Sequence, residues 1–324
     1  MKIISLYLIF FLAIHSETNA TALKTTCLET LREAAVCKDF WVQVHAIEYL
    51  AELGYTEQAE AFVRSELSEY QNVPQKRIGF WRSSYKISQS SKEKSKWINK
   101  IKNAYLDGSG NDRVHAAESL SKLGFSLNHF DHTIVADDER NGGMLASFVI
   151  WGTTLPIDSR ENVAYGKLLE ELKSNEESRR KIAAYALGFV GLNPPATVWK
   201  TLALQAKEEP LQSAASPYLL GAAYSLHNKE DTADLRLVAT IYNKLRGLKD
   251  IKDKEARVEL CRSLAAKGGK DDIPLLLDLM NDKDPITDLP SLESNLNPEV
   301  HPWNLDVKAA AAYAILKITN REST

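Results

Sequence analysis

Two histidines in this chain each stand three residues ahead of a glutamate, inside two copies of one pattern. The first copy is Phe40–Tyr55, FWVQVHAIEYLAELGY, with His45 and Glu48; the second is Asn111–Phe125, NDRVHAAESLSKLGF, with His115 and Glu118. On a helix, residues i and i+3 lie close together. Each pair could therefore serve one proton transfer or reach one ion. Trp41 and Glu52 extend the stripe in the first copy, and Asn111 and Lys122 extend it in the second.

Distance decides what such pairs can do together. His45 and His115 are 70 residues apart, which is two repeats of a short helix pair. Neighbouring helices pack about 8–10 Å apart, so the two stripes would lie roughly 20 Å apart. A two-metal centre needs its ions about 3.5–4 Å apart. One histidine and one glutamate are also too few ligands for a tight mononuclear site. No metal or cofactor is expected. Ligand contact is the expected role of the stripe, and the alternative is a secreted lyase or hydrolase of acidic polysaccharide with His45, Glu48, His115 and Glu118 as its acid–base residues.

A second constellation falls between the two copies. Gln75–Lys102 holds nine lysines and arginines against the lone Glu93, in a chain whose net charge is −3. Phe80, Trp81, Tyr85 and Trp97 are interleaved with them. An anionic sugar could stack on Trp81 while Arg77 or Arg82 grips its carboxylate or sulfate with a bidentate fork. Lys92, Lys96 and Lys100 lie opposite an apolar face and read as a solvated outer surface. The chain has no Gly-rich phosphate loop, no nucleophile elbow and no H-E-x-x-H, which lowers the expectation of an enzyme.

The elements that position these residues are helical. Val44, Ile47 and Leu50 fall at i, i+3 and i+6 and form a core face. Asp39 is placed to cap the start of that helix, and Gly54 and Gly124 stand where a left-handed glycine stops one. Anchor positions near 45, 81, 115, 147, 183, 219, 258 and 309 mark about eight units, mostly 34 to 40 residues apart. The expected fold is all-α, a right-handed α-solenoid of about eight helix pairs filling one domain over 23–324. Asp282–Asn304, with four prolines, interrupts it as a long loop. Its acidic residues match no EF-hand register.

Alanine-rich segments repeat the plan at Arg179–Gly191 (RRKIAAYALGFVG), Glu255–Gly269 (EARVELCRSLAAKGG) and Asp306–Ile318 (DVKAAAAYAILKI). In these segments the chain resembles bacterial HEAT repeats, whose inner helix reads Val-Arg-x-x-Ala-Ala-x-Ala-Leu-Gly-x-Leu-Gly. It departs from them in placing His45 and His115 where arginine is common, and in its long connection at 282–304. The series WVQVHAIEYLAELGY, RIGFWR and DRVHAAESLSKLG is also similar to HEAT modules that accompany sulfatases in secreted polysaccharide-degrading systems. The resemblance implies a scaffold or binding surface. The partner expected from it and from the basic, aromatic segment is a protein or an anionic oligosaccharide.

Met1–Ala22 reads as a signal peptide, with Lys2, an apolar run over Ile3–Ile14 and a small-residue cleavage site at Ala20-Thr21-Ala22. Export to the periplasm or beyond follows. That run is short for a bilayer, and no later stretch reaches 18 apolar residues, so no membrane span is expected. Export and the near-neutral charge together argue against nucleic acid. Cys27 and Cys37, ten residues apart, would be about 15 Å apart on one helix, beyond the roughly 7 Å a disulfide allows. The three cysteines read as packed thiols. Circular dichroism should show far more than about one third helix, the average for globular domains; a value at or below that average would remove the all-α reading.

Overall fold

A computed structural model describes residues 21–108, 110–127, 144–153, 163–189, 196–227, 234–282 and 303–322. Residues 1–20 of the leader, the irregular stretch at 128–141 and residues 283–302 of the long connection lie outside the described residues. The described chain is 82% helix, in 15 helices, with no strand. The chain is all-α, and none of the described helices is long and apolar enough to cross a membrane.

Local chemistry sets the helix ends. After α1 (21–35), α2 spans Phe40–Glu52. The Asp39 carboxylate accepts the Trp41 and Val42 backbone N–H groups at 2.9 and 3.1 Å, satisfying two donors that a helix start leaves without partners. The far end closes on Gly54 at φ +88°. There Tyr55 N–H reaches Leu50 O at 2.9 Å and Gly54 N–H reaches Ala51 O at 3.1 Å. α6 (Arg113–Lys122) ends the same way on Gly124 at φ +78°, with Phe125 N–H bound to Leu120 O at 3.0 Å. Both are Schellman caps, which need a residue at ease in the left-handed region. A Cβ at either glycine would touch nothing within 4 Å, so backbone conformation alone calls for glycine there.

The remaining helices are α3 (Thr56–Phe62), α4 (Lys76–Ile87), α5 (Ser91–Leu106), α7 (Met144–Thr153), α8 (Val163–Glu171), α9 (Glu177–Phe189) and α10 (Ala196–Glu208), then α11 (Ser216–Leu226), α12 (Leu235–Gly247), α13 (Lys254–Lys267), α14 (Ile273–Asn281) and α15 (Trp303–Glu322). Three boundaries stand out. α3 stops at Phe62 and runs on as a π turn and a 3₁₀ turn to Asn72. α11 starts at Ser216, with Pro217 in the first turn, where its missing N–H costs nothing. α15 starts at Trp303, so the last two residues of the expected loop are helical.

The helices form two layers. α2, α4, α6, α7, α9, α11, α13 and α15 pack each against the next, and α15 packs back on α2. Each of the eight anchor positions falls in a different one of these helices. Fully buried Ala183, Ala222 and Ala309 let them approach closely. α3, α5, α8, α10, α12 and α14 pack against the outside of this ring. His45, Glu48 and Glu118 of the His/Glu stripe face the interior of this ring.

Three contacts join the ends. The Tyr49 and Tyr313 rings stack with centroids 4.4 Å apart. The Tyr313 hydroxyl donates to Glu52 at 2.7 Å. His45 Nδ1 lies 3.1 Å from Asp306 Oδ1. A brace continues from this seam into α4 and α6. Arg82 Nε donates to Glu48 at 2.7 Å and its Nη1 to Ser119 Oγ at 3.2 Å. Lys86 bridges Glu48 and Glu52 at 2.9 and 3.0 Å. Burial opposes charge on Glu48, but Arg82 and Lys86 outweigh it and hold the carboxyl well below the usual range. Cys27, Cys37 and Cys261 are free thiols, and burial pushes Cys27 up to about 12. Glu48→Ala strands Arg82, which is only 2% exposed, and should cost about 3–5 kcal/mol in urea unfolding. A loss below about 1 kcal/mol would show that the brace carries no strain of the fold.

Candidate functional site

The interior of the ring holds a cavity in two chambers. The wider, of about 500 Å³, is lined by C-terminal residues of the ring helices, such as Phe189 of α9, Ala266 of α13 and Lys317 of α15. The narrower, of about 210 Å³, is lined by N-terminal residues of the same helices, Lys181, Glu255 and Asp306. The ring helices therefore run parallel. His45, Lys122, Tyr185 and Arg262 border both chambers and form the waist between them.

Most charges on this wall are matched. Glu118 takes Lys122 at 2.6 Å and the Tyr185 hydroxyl at 3.3 Å, with His115 at 3.8 Å. Glu255 pairs with Lys181, and Glu48 and Glu52 pair within the brace. Two groups on α13 depart from this rule, and so does Lys317 of α15, which lines the wider chamber with no hydrogen bond or ion pair among the described residues. Arg262 spends its Nε on the Tyr49 hydroxyl at 3.3 Å and has no carboxylate within 4 Å among the described residues. Neither of its Nη groups has a partner among the described residues. The Glu259 carboxyl, one turn earlier, makes no hydrogen bond or ion pair among them either, its backbone carbonyl alone accepting from Ser263 Oγ at 2.8 Å. Burial pushes its carboxyl up to about 7, against the pull of Arg262. Burial also lowers the Lys122 ammonium to about 8, against the pull of Glu118. Gly221 makes room for Glu259, since a Cβ there would stand 2.5 Å from its Oε1.

The residues singled out from the sequence part company here. His45 and Glu48 face the wider chamber, and Glu118 faces the narrower. His115 lines neither chamber, its ring 5.3 Å from that of Trp41. Arg77 is tied to Asp112 and lies over Trp81 at 5.4 Å. Trp81 is 7% exposed, so its ring offers no face to a sugar. Arg82 borders the cavity but is committed to Glu48 and Ser119. Lys96 sits outside, 4.4 Å over the Trp97 ring. Among the described residues no three histidine, cysteine or carboxylate side chains converge as metal ligands.

Sequence reading missed Arg262 and Glu259, and a signal for both exists. Counting back ten residues from Gly54 and Gly124 gives Val44 and Val114; counting back ten from Gly268 gives Val258. In that register Glu259 takes the place of His45, and Arg262 takes the place of Glu48. No family model matches this chain, and no curated protein or solved structure matches it either.

Because Glu259 holds its proton up to about 7 when folded, against 4.5 ordinarily, it adds stability at acid pH. That contribution is full below about 4.5 and is lost as pH rises through 7. Glu259→Gln should remove this dependence, gaining on the native protein by up to about 3 kcal/mol between pH 5 and pH 8. Urea midpoints at the two pH values measure it. Parallel pH profiles for both proteins would contradict the assignment.

Proposed function

We propose that this chain is an exported binding protein for a small acidic saccharide, held in the axial cavity of a right-handed, HEAT-like array whose ends have met. The observation that carries this reading is Arg262. In a cavity whose other guanidinium, Arg82, is bound to a carboxylate, Arg262 presents both Nη groups unpartnered at the waist. A planar fork of this kind matches a ligand carboxylate with two parallel hydrogen bonds. A volume of about 500 Å³ falls within the range of small-molecule pockets, and is too small for a long polymer segment.

The leader at Met1–Ala22 supports export, and the HEAT-like repeat supports a binding role. Similarity to HEAT modules of polysaccharide-degrading systems supports a saccharide over other acids. Calorimetric titration with mono- and disaccharides of uronic acids tests the reading. Arg262→Ala should weaken binding by about 1.5–3 kcal/mol, the value of a hydrogen bond to a charged group. Arg262→Lys should recover only part of it, and Lys96→Ala, outside the ring, should change little. Failure of the native protein to bind any of these sugars would sink the proposal, and so would equal losses for Arg262→Ala and Lys96→Ala.

A further inference from the structure

Resting on that reading of the cavity, we propose that it is also catalytic: His45, oriented by Asp306, removes the proton from the carbon beside the carboxylate that Arg262 holds, and the C–O bond at the next carbon breaks. The substrate class is a uronate joined through the oxygen β to its carboxylate-bearing carbon, and the reaction is an elimination.

Geometry carries the base. His45 stands at the waist, bordering both chambers. Its Nδ1 is 3.1 Å from Asp306 Oδ1, and Asp306 is 1% exposed at the start of α15. Burial by itself would discourage charge on Asp306, but the His45 ring and Lys254 outweigh it and keep the group below the usual carboxylate range. An ionised carboxylate only accepts, so Nδ1 carries the hydrogen, and in the neutral ring the lone pair is then on Nε2. Nε2 has no hydrogen-bond partner among the described residues. This is an oriented imidazole base aimed at a cavity.

The anion grip is next to it. Arg262 is bonded to Tyr49, and Tyr49 stands four residues after His45 on α2, where side chains are about 5–6 Å apart at Cβ. His45 and Arg262 both border the two chambers, so a carboxylate on the Nη groups shares the waist with His45. Arg262 would also stabilise the negative charge that spreads onto that carboxylate as the proton leaves. Glu259, one turn before Arg262 on α13, is the carboxyl without a partner, and it holds a proton near neutral pH.

The step balances without an oxidant or a cofactor. The C–H proton passes to His45 Nε2, and its electron pair forms the C=C bond as the C–O bond breaks. The leaving oxygen takes the Glu259 proton and departs as an alcohol. Water then returns the proton from His45 to Glu259. Hydrolysis of the same bond by two carboxylates would need a second free one on the wall. Glu48, Glu52, Glu118, Glu255 and Asp306 are each already bonded.

The test is the full chain with oligogalacturonate, alginate and heparin oligosaccharides, following ultraviolet absorbance of the unsaturated product beside calorimetric binding. The native protein should generate absorbance with at least one of them. His45→Ala and the hydrogen-bonding variant His45→Gln should each lose at least about 100-fold in turnover while binding within threefold of native. Asp306→Asn should lower kcat more than it raises KM and displace the pH–rate profile, and Asp306→Glu should restore part of the loss. Binding without unsaturated product from any of the three, or new reducing ends without absorbance, would overturn the elimination and leave the binding site standing. Absence of binding altogether would overturn both.

Discussion

Everything distinctive about this chain depends on α15 meeting α2. Repeated helix pairs with alanine-rich inner faces can stack indefinitely, each burying the face of the one before. Here the eighth ring helix supplies Tyr313 and Asp306 to the first, and the stack ends by closing. Closure converts a row of polar side chains that would edge an open groove into the wall of a confined space. Water then screens these charges poorly, so each must find a partner or change its protonation. Glu118 with Lys122, Glu255 with Lys181 and Glu48 with Arg82 are the first response. The raised carboxyl of Glu259 is the second.

Buried ion pairs of this kind are weak arguments for stability, because desolvation consumes most of their attraction. Their use here is positional. The Arg82–Glu48 brace ties α2 to α4, and Ser119 extends it to α6. Tyr49 holds the Arg262 fork, and Asp306 holds the His45 ring. Among the described residues, the wall groups left unpaired include the Arg262 Nη groups, the Glu259 carboxyl, His45 Nε2 and Lys317.

Features with local causes were legible from the residues alone. Asp39 and the two glycines act within a turn of themselves, and their roles follow from capping chemistry. Ring membership was also legible, because alanine and valine at a regular spacing report which face is packed. Trp81 shows where this stops. The 3.6 period assigns it a face but not what covers that face, and α4 is buried on almost every side from Ile78 to Ser84. Asp306 was not legible as a partner of His45, since 261 residues separate them and only closure brings them together. Arg262 and Glu259 lay between these cases. Their segment reads as a copy of the repeat and their register from Gly268 matches that of the two His/Glu copies, but an arginine and a glutamate in place of glutamate and histidine broke the residue pattern that marked a site.

The most direct measurement is a double-mutant cycle across the seam, with Tyr49→Leu, Tyr313→Leu and the pair, read by urea unfolding of the full chain. Stacked rings 4.4 Å apart should give a coupling of about 0.5–1.5 kcal/mol. Two single losses that simply add would mean that the rings do not touch. The array would then be open, and the axial cavity would not exist.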